Sequence, residues 1–419
     1  MTLFPASWVD RASGVILELD KNPWLAFGTA DQAASARTML FITAASAVLL
    51  LTLDLARERH ARLWLAVAVT LSGFGVAVTG LCLQTSADLA QLWEVRHVPD
   101  SVFGLFWYHG NAAAYLNLCW PATLWLCVIL MRLEDRRPAQ QVALACLVVG
   151  LAVQMVAVFA NVSKMGHFIM LLQVLLLAGA GVLAWRRQDL HEQQTVGKRF
   201  WLLVGVIAGI LVIGAWMAGA ASGWSRWGVF AGRSFDDPAR RHAVTMALKI
   251  GWDGGWNGTG PGTFEWVSAH YSILDPVLKD GRWRFAHNDY AQFFAEWGWL
   301  GTSLAAAFAV LLLLRIARAI MQALQADSSQ RMSFQRRVGL LCFGTAIVSV
   351  LAHAVVDFPL QIPSIRCLAA ALLGMALALS HTSAPAKTRP HKTRNKKRKR
   401  AFTDGPLPDE RGEGNPFFS

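Results

Sequence analysis

The sequence predicts an all-α polytopic integral membrane protein, a bundle of about nine spanning helices with one long outer (periplasmic) loop. Three observations predict it. Of the 419 residues, 54% are hydrophobic and only 16% charged, where soluble domains carry roughly a quarter charged. The apolar residues fall in runs of about 17 to 24, enough to cross a hydrocarbon core of about 30 Å. Lysine and arginine also collect in every second connection between those runs, as they do where one side of a membrane faces the cytoplasm.

In chain order the expected spans are Thr38–Leu53, Arg62–Gln84, Ala112–Met131, Val142–Ala160, Gly166–Trp185, Phe200–Ala221, Trp299–Ile316, Val338–Val356 and Ile365–Ser380. The connections DLARERHAR, RLEDRRPAQQ, RRQDLHEQQTVGKR and RIARAIMQALQADSSQRMSFQRR are basic. They alternate with NVSK, with SADLAQLWEVRHVPDSVFGLFWYHG and with residues 222–296. The positive-inside rule then puts the basic set in the cytoplasm and the N-terminus and residues 222–296 outside. The expected organisation is an outer segment 1–37, six spans in 38–221, the outer loop 222–296, three spans in 297–380 and a tail 381–419.

That tail holds nine Lys and Arg among the fourteen residues from Lys387 to Arg400. It reads as a disordered anchor for anionic lipid headgroups, with no nucleic-acid partner. The start, MTLFPASWVDRASGVILELDKNPW, lacks the basic-then-apolar order of a secretory signal. Cys82, Cys119, Cys127, Cys146, Cys342 and Cys367 lie in or beside apolar runs without CxxC or CxxH spacing, so they read as small hydrophobes. Within the spans the ionisable residues are His353 and, at the ends, His167 and Arg366. An ion-coupled carrier usually needs charged groups near the midplane. Chemistry is therefore expected in the outer segments.

Residues 222–296 carry Arg226, Arg233, Arg240, Arg241, Lys249, Lys279, Arg282 and Arg284. Basic residues are disfavoured on an outer face, which points to an anionic ligand, although a solvated mixed-charge loop would look similar. In GWNGTGPGTFEW, Gly258, Gly260 and Gly262 around Pro261 suit a tight turn with exposed backbone. A dinucleotide site would need a βαβ context that is absent. In RFAHNDYAQFFAEWGWLGT, Asn288, Gln292 and Glu296 share one helical face, and Tyr290, Phe294 and Trp297 another. Trp297 and Trp299 suit the aromatic belt, Gly298 and Gly301 allow a neighbouring helix to approach, and His287 is expected to cap the helix just above the membrane.

These residues resemble the O-antigen ligase and O-antigen polymerase-like superfamily of bacterial envelope glycan enzymes. Its C-terminal signature is His, then Asn, Ser or Gln, nine residues, then Gly-x-x-Gly-Thr. Here His287-Asn288 is followed by nine residues and by Gly298-Trp-Leu-Gly301-Thr302. GTGPGTF is similar to the family's GxGPGxF, GLFWYHGNAAAYL to its GxFxNxNxxAxYL, and HAVVDFPLQIP follows as in members. Arg240-Arg241 precede Ala247-Leu248 and Asp253, as a family arginine precedes an "AL…D" stretch. Together the matches cover about 102–374. Two features depart from the pattern. Ser163-Lys164-Met165-Gly166 stands where many members have Ser-Arg-Gly, which keeps the charge but not the bidentate grip of arginine. Members also tend to have more spans than are counted here.

The resemblance implies transfer of a glycan from undecaprenyl diphosphate to a sugar hydroxyl of lipid A core, on the outer face of the bacterial inner membrane. His287 would be the base, a role that suits imidazole. Arg240, Arg241 and Lys164 would hold the diphosphate, and Asn288, Glu296, Gly260 and Gly262 would support the site. No cofactor and no metal are implied. A polymerase or protein O-oligosaccharyltransferase of the same superfamily would share the donor, and a transporter or inactive relative is the non-enzyme alternative.

Overall fold

A computed structural model describes residues 7–10, 15–18, 28–85, 102–133, 136–161, 163–186, 238–273, 283–325 and 334–380, with Gly205 and Gly209. Apart from a short antiparallel hairpin, β1 (Ser7–Asp10) paired with β2 (Val15–Glu18), the described chain is helical. Helices α1 (Gln32–Leu55), α2 (Arg59–Thr85), α3 (His109–Met131), α4 (Pro138–Ala160), α5 (Lys164–Arg186), α8 (Asp289–Gln325), α9 (Phe334–His353) and α10 (Pro363–Ser380) are the eight long and apolar enough to cross a membrane. The all-α membrane bundle expected from the sequence is therefore observed. The sixth expected span, Phe200–Ala221, lies outside the described residues apart from two glycines, and so does the basic tail.

Between the fifth and the last three spanning helices, the stretch expected to be a loop contains structure. Helix α6 (Pro238–Asp253) and helix α7 (Phe264–Ile273) fold there, and α8 begins at Asp289, within the expected loop. Helix α6 packs on α8 through small residues: a Cβ at Gly251 would fall within 3 Å of the Phe294 ring. Ala243, Ala247, Ile250 and Gly251 mark its buried stripe, the spacing of an amphipathic helix.

Helix α3 forms the centre of the bundle and is buried over most of its length. Several of its polar groups find partners on neighbouring helices, as hydrocarbon favours. Asn117 Nδ2 donates to Gly166 O at 3.0 Å, Trp120 Nε1 to Gln173 Oε1 at 3.0 Å, and Gln173 Nε2 to Ser349 Oγ at 3.1 Å. These contacts fix α3 against α5 and α9, so the starts of α3 and α5 and the end of α9 lie at one end of the bundle.

Arg62, Arg132 and Arg336 gather at the opposite end. Arg62 Nη1 donates to Ala56 O, Arg336 Nη2 donates to Leu379 O, and Arg132 lies over the Phe334 ring at 3.8 Å. The other end holds Asp31, which caps α1 by accepting from Ala33 N and Ala34 N. It also holds the starts of α3, α5, α8 and α10 and the end of α9.

Helix α8 is broken at Gly298, where φ is 61°. The break is filled by backbone from residues 255–260. Trp299 N donates to Gly255 O and Leu300 N to Trp256 O, while Gly260 N donates to Glu296 O. Gly298 thus admits a loop, where a neighbouring helix was expected; Gly301 is packed against Trp297 of its own helix. A Cβ at Gly298 would press on Gly258 N and lie 2.5 Å from Gly255 O. Left-handed backbone also costs a non-glycine residue about 1–3 kcal/mol. Gly298→Ala is expected to lower the melting temperature of the purified protein by several degrees and to reduce accumulation. Unchanged melting would show that the loop gives way without loss.

Candidate active site

His287 is the one described non-glycine residue with positive φ, at 53°. Such a conformation persists only where the surroundings over-determine it, and here the pins can be named. Asn288 Nδ2 donates to Val355 O at 2.7 Å, and Asp289 N donates to Ala354 O at 2.9 Å and Asp357 O at 3.1 Å. On the other side Ala286 N donates to Gln292 Oε1 at 3.1 Å. The segment therefore satisfies the carbonyls left open at the C-terminal end of α9. The helix cap is Asn288, whose Oδ1 accepts from Ala291 N at 2.9 Å. His287, expected to be the cap, is instead turned out of the helix.

Turned that way, His287 Nδ1 faces Asp357 Oδ1 at 3.3 Å, with the imidazole about one-fifth exposed and the carboxylate buried. Burial pushes the Asp357 carboxyl up. The hydrogen bond from His287, the His353 and His287 charges and a hydrogen bond from Tyr108 together outweigh it, and the group lies below its ordinary value. Its charge is therefore present above the ordinary carboxylate range and is lost only as pH falls through the lowered value. An ionised Asp357 fixes hydrogen on Nδ1 and leaves the Nε2 lone pair outward. Among the described residues nothing bonds to Nε2. This is an oriented base, the arrangement in which a carboxylate holds an imidazole in the productive tautomer.

His353, the histidine singled out within the spans, is the last residue of α9 and only 1% exposed. Its Nε2 is 3.9 Å from Asp357 Oδ2, so it belongs to this cluster and not to a midplane pathway. Phe358 walls the site: its ring lies 5.0 Å from that of His287 and stacks on Phe285 and Tyr108. Among the described residues no set of three or more His, Cys, Asp or Glu converges as metal ligands.

The expected cations divide. Arg240 reaches the cluster, donating from Nη2 to Tyr108 Oη at 3.0 Å. Arg241 points from the exposed face of α6. Lys164 is exposed at the start of α5, and that start is tied to the start of α3 because Asn161 Nδ2 donates to His109 O at 2.8 Å. Lys164→Ala is expected to weaken use of a diphosphate donor several-fold while Lys164→Arg preserves it. Equal donor KM in both variants would leave Lys164 a surface residue.

The expected supporting residues act at one remove. Glu296 is 2% exposed, and its Oε2 accepts from Gly262 N at 2.7 Å while Oε1 accepts from Gln292 Nε2 at 3.0 Å. Gln292 in turn accepts from Ala286 N. A line of hydrogen bonds thus runs from the Gly260–Gly262 turn through Glu296 and Gln292 to the residue before His287. Glu296 is a brace. Gly260 and Gly262 have φ of 104° and 74° and pack on Thr29 and Thr38, so they seat the turn on α1.

Sequence reasoning assigned no role to Asp357 or Tyr108, although both lie in segments it had singled out. A signal was present in Asp357 falling four residues after His353 in an apolar run, the spacing of two groups on one helical face. A scan against protein-family models and a search of curated proteins return no match to this chain.

Proposed function

We propose that this protein is a membrane glycan transferase of the O-antigen ligase type. In this reading it moves a glycan from undecaprenyl diphosphate to a sugar hydroxyl, lipid A core first among acceptors, on the outer face of a bacterial inner membrane. The observation that carries the reading is the His287–Asp357 pair on a pinned left-handed turn, with Arg240 across Tyr108 from it. A diphosphate is already a good leaving group, so the demands on the protein are few. A base must take the acceptor proton and cations must neutralise the departing charge. His287 supplies the first and Arg240 the second, with Arg241 and Lys164, exposed at the same end of the bundle, as further candidates. The pattern of basic connections supports an outward-facing site, and the resemblance of His287–Thr302 and Gly258–Phe264 to the superfamily supports the donor class.

The same residues serve a polymerase or protein O-oligosaccharyltransferase, since only the acceptor differs. Transport is less well supported, because His353 lies beside the Asp357 cluster and leaves no charged midplane path among the described residues. Disrupting the gene in its host is the test. Lipid-linked glycan is expected to accumulate outside the inner membrane, with loss of the mature surface glycan. Accumulation on the cytoplasmic side would mean transport, and an unchanged glycan profile would remove the glycan reading.

A further inference from the structure

Tyr108 lies between the two halves of the site. Its hydroxyl accepts from Arg240 Nη2 at 3.0 Å, and its ring lies against the Asp357 carboxylate over Gly110. A hydroxyl has a single hydrogen, and with the guanidinium donating to the phenol oxygen that hydrogen is left for the adjacent Asp357 carboxylate, which His287 Nδ1 also faces. Burial, then the Asp357 charge, hold the phenol above its ordinary value against the pull of Arg240, which keeps it a donor. The ring stacks on Phe358 at 5.1 Å and stands edge-on to His287 at 6.2 Å. At Gly110 a Cβ would lie 2.5 Å from both Asp357 Oδ2 and Tyr108 Cε1. Phenol and carboxylate are therefore pressed together over bare backbone.

We infer that Tyr108 is a positioning residue that couples Arg240, the proposed phosphate-binding cation, to His287, the proposed base, by way of Asp357. The inference rests on the reading of the site as a glycan-transfer centre. A phosphate that engages Arg240 weakens its donation to the phenol oxygen. The phenol then donates less strongly to Asp357, and more of the carboxylate charge falls on His287 Nδ1–H. Occupation of the donor site thereby raises the basicity of the imidazole that acts next. The other titratable or charged groups around the line are His109 beside Tyr108, His353 on α9, and Arg284 and Asp289 flanking His287.

The test is a double-mutant cycle on the full chain in nanodiscs. Carbethoxylation of His287 by diethylpyrocarbonate requires an unprotonated nitrogen and is followed by peptide mass spectrometry at pH 6.5. Tyr108→Phe keeps the ring stack and removes only the hydroxyl. It is expected to slow labelling about threefold, as is Arg240→Ala, and the double variant to be no slower than the slower single one. Trp107→Phe, at a position 77% exposed, serves as the control and should label as wild type. Unchanged labelling in Tyr108→Phe, or effects that multiply in the double variant, would overturn the coupling. In a transfer assay Tyr108→Phe, in which Arg240 no longer donates to a phenol and the imidazole already carries the full Asp357 charge, should leave donor KM no higher and kcat within a few-fold of wild type, and a large rise in donor KM would also overturn the coupling. The labelling needs no turnover, so a chain that transfers no glycan removes the functional reading while the cycle still decides the role of Tyr108.

Discussion

Replacing His287 by alanine is expected to lower glycan transfer by about 10²–10⁴, the usual effect of losing a general base, while the protein inserts and accumulates as wild type. The fold has little to lose. The imidazole is partly exposed, and Asp357 keeps its bond from Phe358 N when the ring is gone. The turn is held by its neighbours Ala286, Asn288 and Asp289, not by the ring. Alanine does inherit the positive φ, so His287→Asn is the companion variant, because asparagine tolerates left-handed backbone. Both should accumulate, and both should fail in transfer. Transfer within a few-fold of wild type in either would remove His287 from the chemistry. A chelator or added Mg²⁺ should leave the parent's rate unchanged, and abolition by a chelator would contradict a base-only mechanism.

Asp357→Asn is expected to produce a loss approaching the same size, about 10²–10⁴. The side chain is nearly isosteric and still accepts from Phe358 N, so accumulation should stay close to wild type. What changes is charge and tautomer. A neutral amide neither fixes hydrogen on His287 Nδ1 nor stabilises the imidazolium that forms when the acceptor proton arrives. Donor KM should move little. A large rise in KM with kcat preserved would place Asp357 in donor binding instead. Because the Asp357 carboxyl lies below its ordinary value of about 3.8, a fall in transfer between pH 7 and 5 does not arise from its protonation.

The bundle was legible because hydrocarbon imposes a strong rule: about twenty apolar residues per crossing, with lysine and arginine marking one side. The polar braces between α3 and α5, such as Asn117 and Gln173, were not, because their meaning lies in pairings across helices about fifty residues apart. In the site, His287 stood out by its position ahead of an apolar run. The backbone that presents it did not, since a left-handed histidine depends on the carbonyls of α9 more than sixty residues away. Glu296 read only as a supporting residue, with nothing to say what it supports. Only its bond to Gly262 N decides for the brace. Asp357 and Tyr108 were hidden for a similar reason, as each acts through residues remote in sequence.

The central claim is that His287, Asp357 and Arg240 form a centre for transfer from a lipid-borne diphosphate. Its most direct test is a transfer assay in proteoliposomes holding only this chain, a labelled undecaprenyl diphosphate glycan and a panel of lipid A core, glycan and peptide acceptors. The account predicts that label moves to one acceptor class with release of undecaprenyl diphosphate, without a nucleotide triphosphate, and that His287→Ala abolishes the movement without preventing donor binding. Label that stays on the carrier with every acceptor, or that moves equally well in the His287→Ala protein, would contradict it.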